Sequence, residues 1–209
     1  VTTLTGKLVR LEPLGPEHAQ AAVAALQSSP ADYFALGGVP RPDLDSVRAW
    51  IASSQEDARV NGALPFATIR QSDGRLVGST RFWNVETWNW PQGAEFYGRT
   101  TPDVCEIGHT WVTADVSGTG INVEAKLLML EHAFDVWDVH RVFWRTDVRN
   151  EASRRAILAL GALFEGVRRA DKVGADATIR DSAYYSMIRS EWPAGRELLH
   201  RRLARHLVD

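Results

Sequence analysis

The sequence predicts an α/β domain, a mixed sheet covered by helices, and three observations predict it. Strand-like and helix-like segments follow one another as β-α-α-β-β-β-α-β-α-β-β. Residues 105–134 pass from a strand through a glycine-rich turn into an amphipathic helix. Residues 64–70 and 76–85 flank Ser72-Asp73-Gly74, a hairpin turn signal. A chain of 209 residues suits a single domain, 1–209, and 44% hydrophobic residues with eight tryptophans are ample for its core. The formal charge of −2 offers no basic field for nucleic acid. A single cysteine excludes an internal disulfide and fits a reducing compartment. There is no basic-then-apolar leader and no apolar run of membrane-span length. The expectation is a soluble, cytoplasmic protein with neither nucleic acid nor membrane as partner.

Each element has its own justification. Residues 7–14 (KLVRLEPL) alternate as a strand, and Gly15-Pro16-Glu17-His18 opens a helix running to about residue 27. Residues 28–42 form a loop rich in Pro and Gly, whose Tyr33 and Phe34 either cover a site or pack the loop. Residues 43–60 form a second helix, with Val47, Trp50 and Ile51 on one face. After the hairpin, residues 84–102 are the least regular part. Residues 105–112 (CEIGHTWV) carry the β-branched and aromatic residues of a central strand. From Ile121 on, Val123, Leu127, Leu130, Phe134 and Trp137 recur at four-three-four-three spacing, one stripe of a helix. Residues 141–148 alternate as another strand, and Asn150 caps a short helix over 153–160 that stops at Gly161. Residues 163–167 and 178–188 are two more strands. A final helix starts at Trp192-Pro193 and reaches about residue 207.

The junction between the central strand and its helix carries the chemistry. A strand feeding a glycine-rich turn into a helix N-terminus leaves backbone N–H groups unpaired, and the helix dipole adds to their pull on an anion. A dinucleotide fingerprint needs a third glycine, but Val123 follows Gly118-Thr119-Gly120-Ile121-Asn122; a P-loop needs Gly-Lys-Ser/Thr, which is absent. What remains, S-G-T-G-I-N, reads equally as a phosphate cradle or as an ordinary tight turn.

Longer-range spacing gives more. Glu106-Ile107-Gly108 precedes Gly118-Thr119-Gly120-Ile121-Asn122 and Glu124-Ala125-Lys126. Then come His140-Arg141-Val142, Thr146-Asp147-x-x-Asn150-x-x-Ser153, Leu160-Gly161-Ala162, Glu165-Gly166, Arg168, Arg180-Asp181-Ser182, Tyr185-Ser186 and Glu191-Trp192-Pro193. In this order the set resembles the GNAT superfamily of acyl-CoA-dependent N-acyltransferases, in its branch related to Rim-type ribosomal-protein N-terminal acetyltransferases. The resemblance implies a mixed, mostly antiparallel sheet of about seven strands with helices on both faces. It implies an acetyl group moved from acetyl-CoA, a co-substrate, to a primary amine of a peptide N-terminus or small molecule by direct attack in a ternary complex, with no metal. It leaves a homodimer open. One position departs from the pattern: Asp115 stands where the family carries Gln or Arg, and an acid there would repel a pyrophosphate unless it points away. That departure keeps open an alternative, a non-catalytic acyl-CoA-binding sensor or scaffold on the same fold.

Site residues follow from the resemblance together with the chemistry. The N–H groups of Ser117, Gly118, Thr119, Gly120, Ile121 and Asn122 would hold the pyrophosphate, with the Thr119 hydroxyl as an added donor. The pantetheine would lie where the central strand and the Arg141 strand splay apart. An α-amino group titrates near pH 8, so a base helps, and Glu106 on the central strand is the candidate; its alternative is an ion pair with an arginine of the next strand. His109 is the second candidate base, on the opposite face from Glu106 if the strand is regular, and then a core residue. Ser153 would donate a proton or hydrogen bond to the leaving thiolate, and Asn150 would cap its helix and also bond the pantetheine. Tyr184 and Tyr185 are alternative acids, and Cys105 reads as buried and inert. Trp83, Glu86, Trp88 and Trp90, with Tyr33 and Phe34 opposite, would receive the cationic amine against aromatic and acidic groups; packing of the loop or of a dimer contact is the alternative for the tryptophans.

Overall fold

The computed structural model describes residues 2–30 and 33–207. Eight strands form one sheet: β1 (Leu4–Thr5), β2 (Val9–Pro13), β3 (Leu64–Arg70), β4 (Leu76–Glu86), β5 (Val104–Val112), β6 (Arg141–Asp147), β7 (Leu163–Val173) and β8 (Ile179–Ile188). Their order is β1-β2-β3-β4-β5-β6-β8-β7. Every neighbouring pair is antiparallel except β5 and β6. The eighth strand, β1, is two residues long and was not expected. β7 runs six residues beyond the expected 163–167 because β8 carries it past a run of charged side chains that no periodicity betrays.

Five α-helices cover the sheet. The helices α1 (Ala19–Gln27) and α2 (Leu44–Asn61) pack on one face, where Val47, Ile51, Ala67, Ile69 and Trp111 form a core. The larger core lies on the other face under α3 (Ile121–Glu131), α4 (Glu151–Leu158) and α5 (Trp192–Ala204), and contains Cys105, Ile107, Leu127, Leu130, Phe134 and Leu199. Local chemistry sets the ends. Asp43 caps α2 through the Ser46 N–H, and Gly62 closes it at φ 65°. None of the helices among the described residues is long and apolar enough to cross a membrane.

The N-terminal strands are tied to α3 by one carboxylate. Glu124, 3% exposed, accepts from the N–H groups of Lys7 at 2.8 Å, Leu8 at 2.6 Å and Val9 at 2.8 Å. Glu124→Ala leaves these donors without partners in a site mostly closed to water. We expect a loss of roughly 3–5 kcal/mol. Thermal melting should fall by more than about 6 °C; a shift within a degree would show that the strands hold without the carboxylate.

Candidate active site

β5 and β6 pair only over Val104↔Arg141, Cys105↔Val142 and Glu106↔Phe143. Both strands continue, to Val112 and Asp147, without pairing further, so a gap opens just past Glu106. Parallel ladders cannot be left unpaired in a core at no cost, because free N–H and C=O groups need partners. On β6, the buried indole N–H of Trp144 has no acceptor among the described residues.

Glu106 stands at the closed end of this gap, 3% exposed. Asn84 donates to its Oε2 at 2.6 Å, and the Arg145 guanidinium on β6 donates to Oε1 at 3.2 Å. Burial raises its pKa above the ordinary carboxylate value, against the opposing pull of Arg145 and of the Asn84 hydrogen bond. The ion pair and the elevated pKa therefore coexist, so the two expectations for Glu106 do not exclude one another. Asn84 was missed at the sequence level, and the arginine expected as an ion-pair partner on the next strand is Arg145. The alternation of Arg141, Phe143 and Arg145 in RVFWRTD puts all three on the Glu106 face, a legible signal for Arg145.

Two bulges aim side chains at this point. In β4, Asn84 and Val85 oppose the single residue Cys105, and Asn84 takes φ 42°. In β5, His109 and Thr110 oppose Thr80, and His109 takes φ 48°. The second bulge corrects the expectation for His109. The extra residue turns it to the Glu106 face, exposed, with its ring 5.2 Å from that of Trp83. It is not a core histidine. Crowding that thins the water around it, then the charges of Arg81, Lys172, Arg145 and Arg180, lower its pKa from the ordinary value. Behind the bulge, the buried Lys126 of α3 donates to both Thr80 and Thr110 at 2.7 Å, fixing the two strands where the bulge forms. Burial pushes this lysine down to about 7.

The turn after β5 has the expected shape. Gly118 and Gly120 sit at φ 78° and 86°, and α3 begins on Gly120 without a side-chain cap. The N–H groups of Gly118, Gly120, Ile121 and Asn122 find no acceptor among the described residues. Part of the expected cradle is already engaged: the Ser117 and Thr119 N–H groups donate to the Ala114 and Val116 carbonyls at 3.2 and 3.3 Å. The Thr119 hydroxyl donates to the Val116 carbonyl at 2.7 Å, so its proton is not free for a phosphate. A Cβ on Gly120 would meet the His206 Cβ and Cγ at 2.8 Å, whereas Gly118 faces open space. Asp115 pairs with Arg75 and lies 3.8 Å from Arg70, both of the β3–β4 hairpin. The hairpin thereby offsets the unfavourable charge that Asp115 brings to the loop.

On α4, Asn150 accepts from the Ser153 N–H at 3.0 Å, a helix cap that leaves its amide N–H groups available. The Ser153 hydroxyl is half-buried and makes no bond among the described residues. Tyr185 is fully buried with its hydroxyl accepting from Arg154. The Cys105 thiol is buried and its pKa is pushed up by desolvation, so it stays protonated.

A cavity of about 390 Å³ opens on the Glu106 side of the sheet. Asn84, Glu86 and Trp88 line one wall, and Arg141, Phe143, Arg145, Arg168 and Tyr184 the other. The expected aromatic wall is thus divided. Trp88 lines the cavity, stacked on His140 at 5.6 Å. Trp90 does not, because its indole N–H is bound to the buried Asp103 and its ring packs on Phe96. Trp83 already carries the Arg81 guanidinium, 5.2 Å above its ring. Phe34 packs on Trp111 at 5.8 Å, with exposed Tyr33 at its edge, toward α1 and α2. Trp88→Ala should raise the KM of an amine several-fold with kcat nearly constant, as loss of about 1 kcal/mol of uniform binding does. Trp90→Ala should instead lower the melting temperature; equal effects of the two on KM would refute the division.

Comparison with known proteins adds the last observations. Residues 9–163 match the acetyltransferase (GNAT) domain family. A GCN5-related N-acetyltransferase from Brucella melitensis is 27% identical with a TM-score of 0.81, covering 100% of this chain and 88% of that one. A protein of T. thermophilus classed as an acetyltransferase is 30% identical with a TM-score of 0.78, covering 97% of both. Mycobacterium smegmatis RimJ in complex with CoA-disulfide shares the fold at 24% identity and a TM-score of 0.73, covering 97% of this chain and 91% of that one. None of the curated proteins matches the chain in sequence.

Proposed function

Because this chain belongs to the acetyltransferase (GNAT) domain family, whose members are acetyl-CoA-dependent N-acetyltransferases, we propose that it acetylates a primary amine, of a peptide N-terminus or a small molecule, by direct attack in a ternary complex. Acetyl-CoA brings the activated thioester. The residues described above divide the remaining work. The free N–H groups of Gly118, Gly120, Ile121 and Asn122 bind the pyrophosphate. Backbone groups of β5 beyond Glu106, unpaired in the gap, orient and polarise the carbonyl. Glu106 takes the proton of the amine, directly or through water, and the elevated pKa makes it a better base than an ordinary carboxylate. Ser153 hydrogen-bonds the departing sulfur; a thiol titrating near 8.5 needs no stronger acid.

The observation that carries this reading is the buried Glu106, raised in pKa, at the closed end of a strand gap and beside the acceptor cavity. A sensor that only binds acyl-CoA has no use for a desolvated base in that position. Calorimetry with acetyl-CoA, and thiol release with a panel of peptide and small-molecule amines, separate the two. Binding without thiol release from any amine would favour the sensor, and absence of binding at millimolar acetyl-CoA would end both readings.

A further inference from the structure

The cavity wall opposite Trp88 is richer in positive charge than an amine acceptor alone would call for. Arg141, Arg145 and Arg168 of that wall each have a carboxylate within reach: Glu165 at 2.6 Å, Glu106 at 3.2 Å and Asp171 at 3.1 Å. Lys172 on β7 and Arg180 on β8 do not, and among the described residues neither forms an ion pair. Yet the two are partners in the ladder, directly opposite one another. Like charges at facing positions of a sheet repel and destabilise it.

A specific irregularity creates this pairing. Arg168 lies opposite Ser182, so an unbroken ladder would bring Lys172 level with Thr178 in the turn. Instead residues 169–171 oppose the single residue Asp181, and Lys172 is drawn back to Arg180. Ala170 takes φ 47° within the bulge, its N–H held by the Asp181 carboxylate at 2.7 Å. Alternation along β8 from Tyr184, which lines the cavity, puts Arg180 on the same face. Lys172 and Arg180 both lie close enough to feel Glu106, Asp171 and Arg145, and Arg180 feels Asp147 as well. Partial desolvation, then the charge of Arg145, push each of them down from its ordinary pKa, and Lys172 also feels Arg180.

We propose that the acceptor bears an acidic group, a carboxylate or a phosphate, besides its amine, and that Lys172 and Arg180 hold it. This rests on the acetyl-transfer reading and narrows its substrate class. An anion between the two cations removes their repulsion, and a guanidinium matches the fork of a carboxylate or phosphate. The same positive field, extended by Arg145, disfavours the ammonium form of the bound amine, so more of it is neutral and nucleophilic.

The test compares acceptors that differ only in charge: short peptides with a free N-terminus carrying Asp or Asn, or phosphoserine or serine, at the second position. Thiol release at saturating acetyl-CoA should give a kcat/KM about tenfold or more higher for the acidic members, as one charge-assisted hydrogen bond supplies, and added salt should shrink the ratio. The Asp and phosphoserine arms show which acid fits. Lys172→Gln, Arg180→Gln and the double variant should bring the ratio toward one while raising the melting temperature, because a like-charge pair is gone. A ratio near one in the unchanged protein, or a ratio preserved in the double variant, overturns the proposal. So does a double variant that keeps the ratio but binds acetyl-CoA more weakly, which would assign these cations to the CoA phosphates. No turnover with any amine, acidic or neutral, removes the acetyl-transfer reading and this inference with it.

Discussion

Glu106→Gln should lower kcat by about 10²–10⁴-fold and leave acetyl-CoA affinity nearly unchanged, the range expected when a positioned base is removed. Gln keeps the volume, and its one amide oxygen can still accept from Asn84, so the shape is largely retained while proton uptake and the ion pair with Arg145 are lost. The pH profile carries a sign. Desolvation raises the Glu106 pKa above its ordinary value, so kcat/KM should climb with pH through an inflection above the usual carboxylate range. That inflection should vanish in the Gln variant. Stability moves the other way. A carboxyl whose folded pKa is raised favours the fold below its unfolded value, and this contribution is lost as pH rises through the folded value. At neutral pH the ionised Glu106 is therefore a net cost, and Glu106→Gln should melt no lower than the unchanged protein. A large drop in melting temperature with little loss of kcat would mean that the carboxylate serves the Arg145 pair and not the reaction.

Gly118→Val should weaken acetyl-CoA binding by tenfold or more, measured by calorimetry. Gly118 holds φ 78°, and nothing lies within 4 Å of the position its Cβ would take. A β-branched residue there costs roughly 1–3 kcal/mol of backbone strain. The loop relieves the strain by turning its N–H groups away from the anion, with no core contact disturbed. Gly120 is the less clean choice, since a side chain there collides with His206 and would confuse loop shape with folding. Unchanged affinity in Gly118→Val would make the turn an ordinary connection.

Much of this was legible before any coordinates. The order of strands and helices, the hairpin at Ser72-Asp73-Gly74, the Asn150 cap and the strand–turn–helix over residues 105–134 all follow from periodicity and turn chemistry. These are local in origin: a residue's neighbours three or four positions away decide them. The motif spacing gave the family, and through it the gap beyond Glu106.

Of the side chains that meet in the cavity, Glu86, Trp88 and Tyr184 were named from the sequence; placing the others was harder, because strand alternation is a rule with period two and bulges break it. Three of the bulges around the site, at Asn84, His109 and Ala170, are each carried by a non-glycine residue at positive φ that no turn signal marks. One extra residue moved His109 from the core face to the cleft. Two extra residues drew Lys172 level with Arg180, and distant partners decided the fate of Asp115 and of Trp90. By itself the sequence determined the strand–helix order, the family and the identity of Glu106 as the acid on the central strand. Only the tertiary structure decided which face each side chain took and what charge surrounded it. Bulges and long-range pairs are settled by packing between segments far apart in the chain, and local pattern carries no record of that packing.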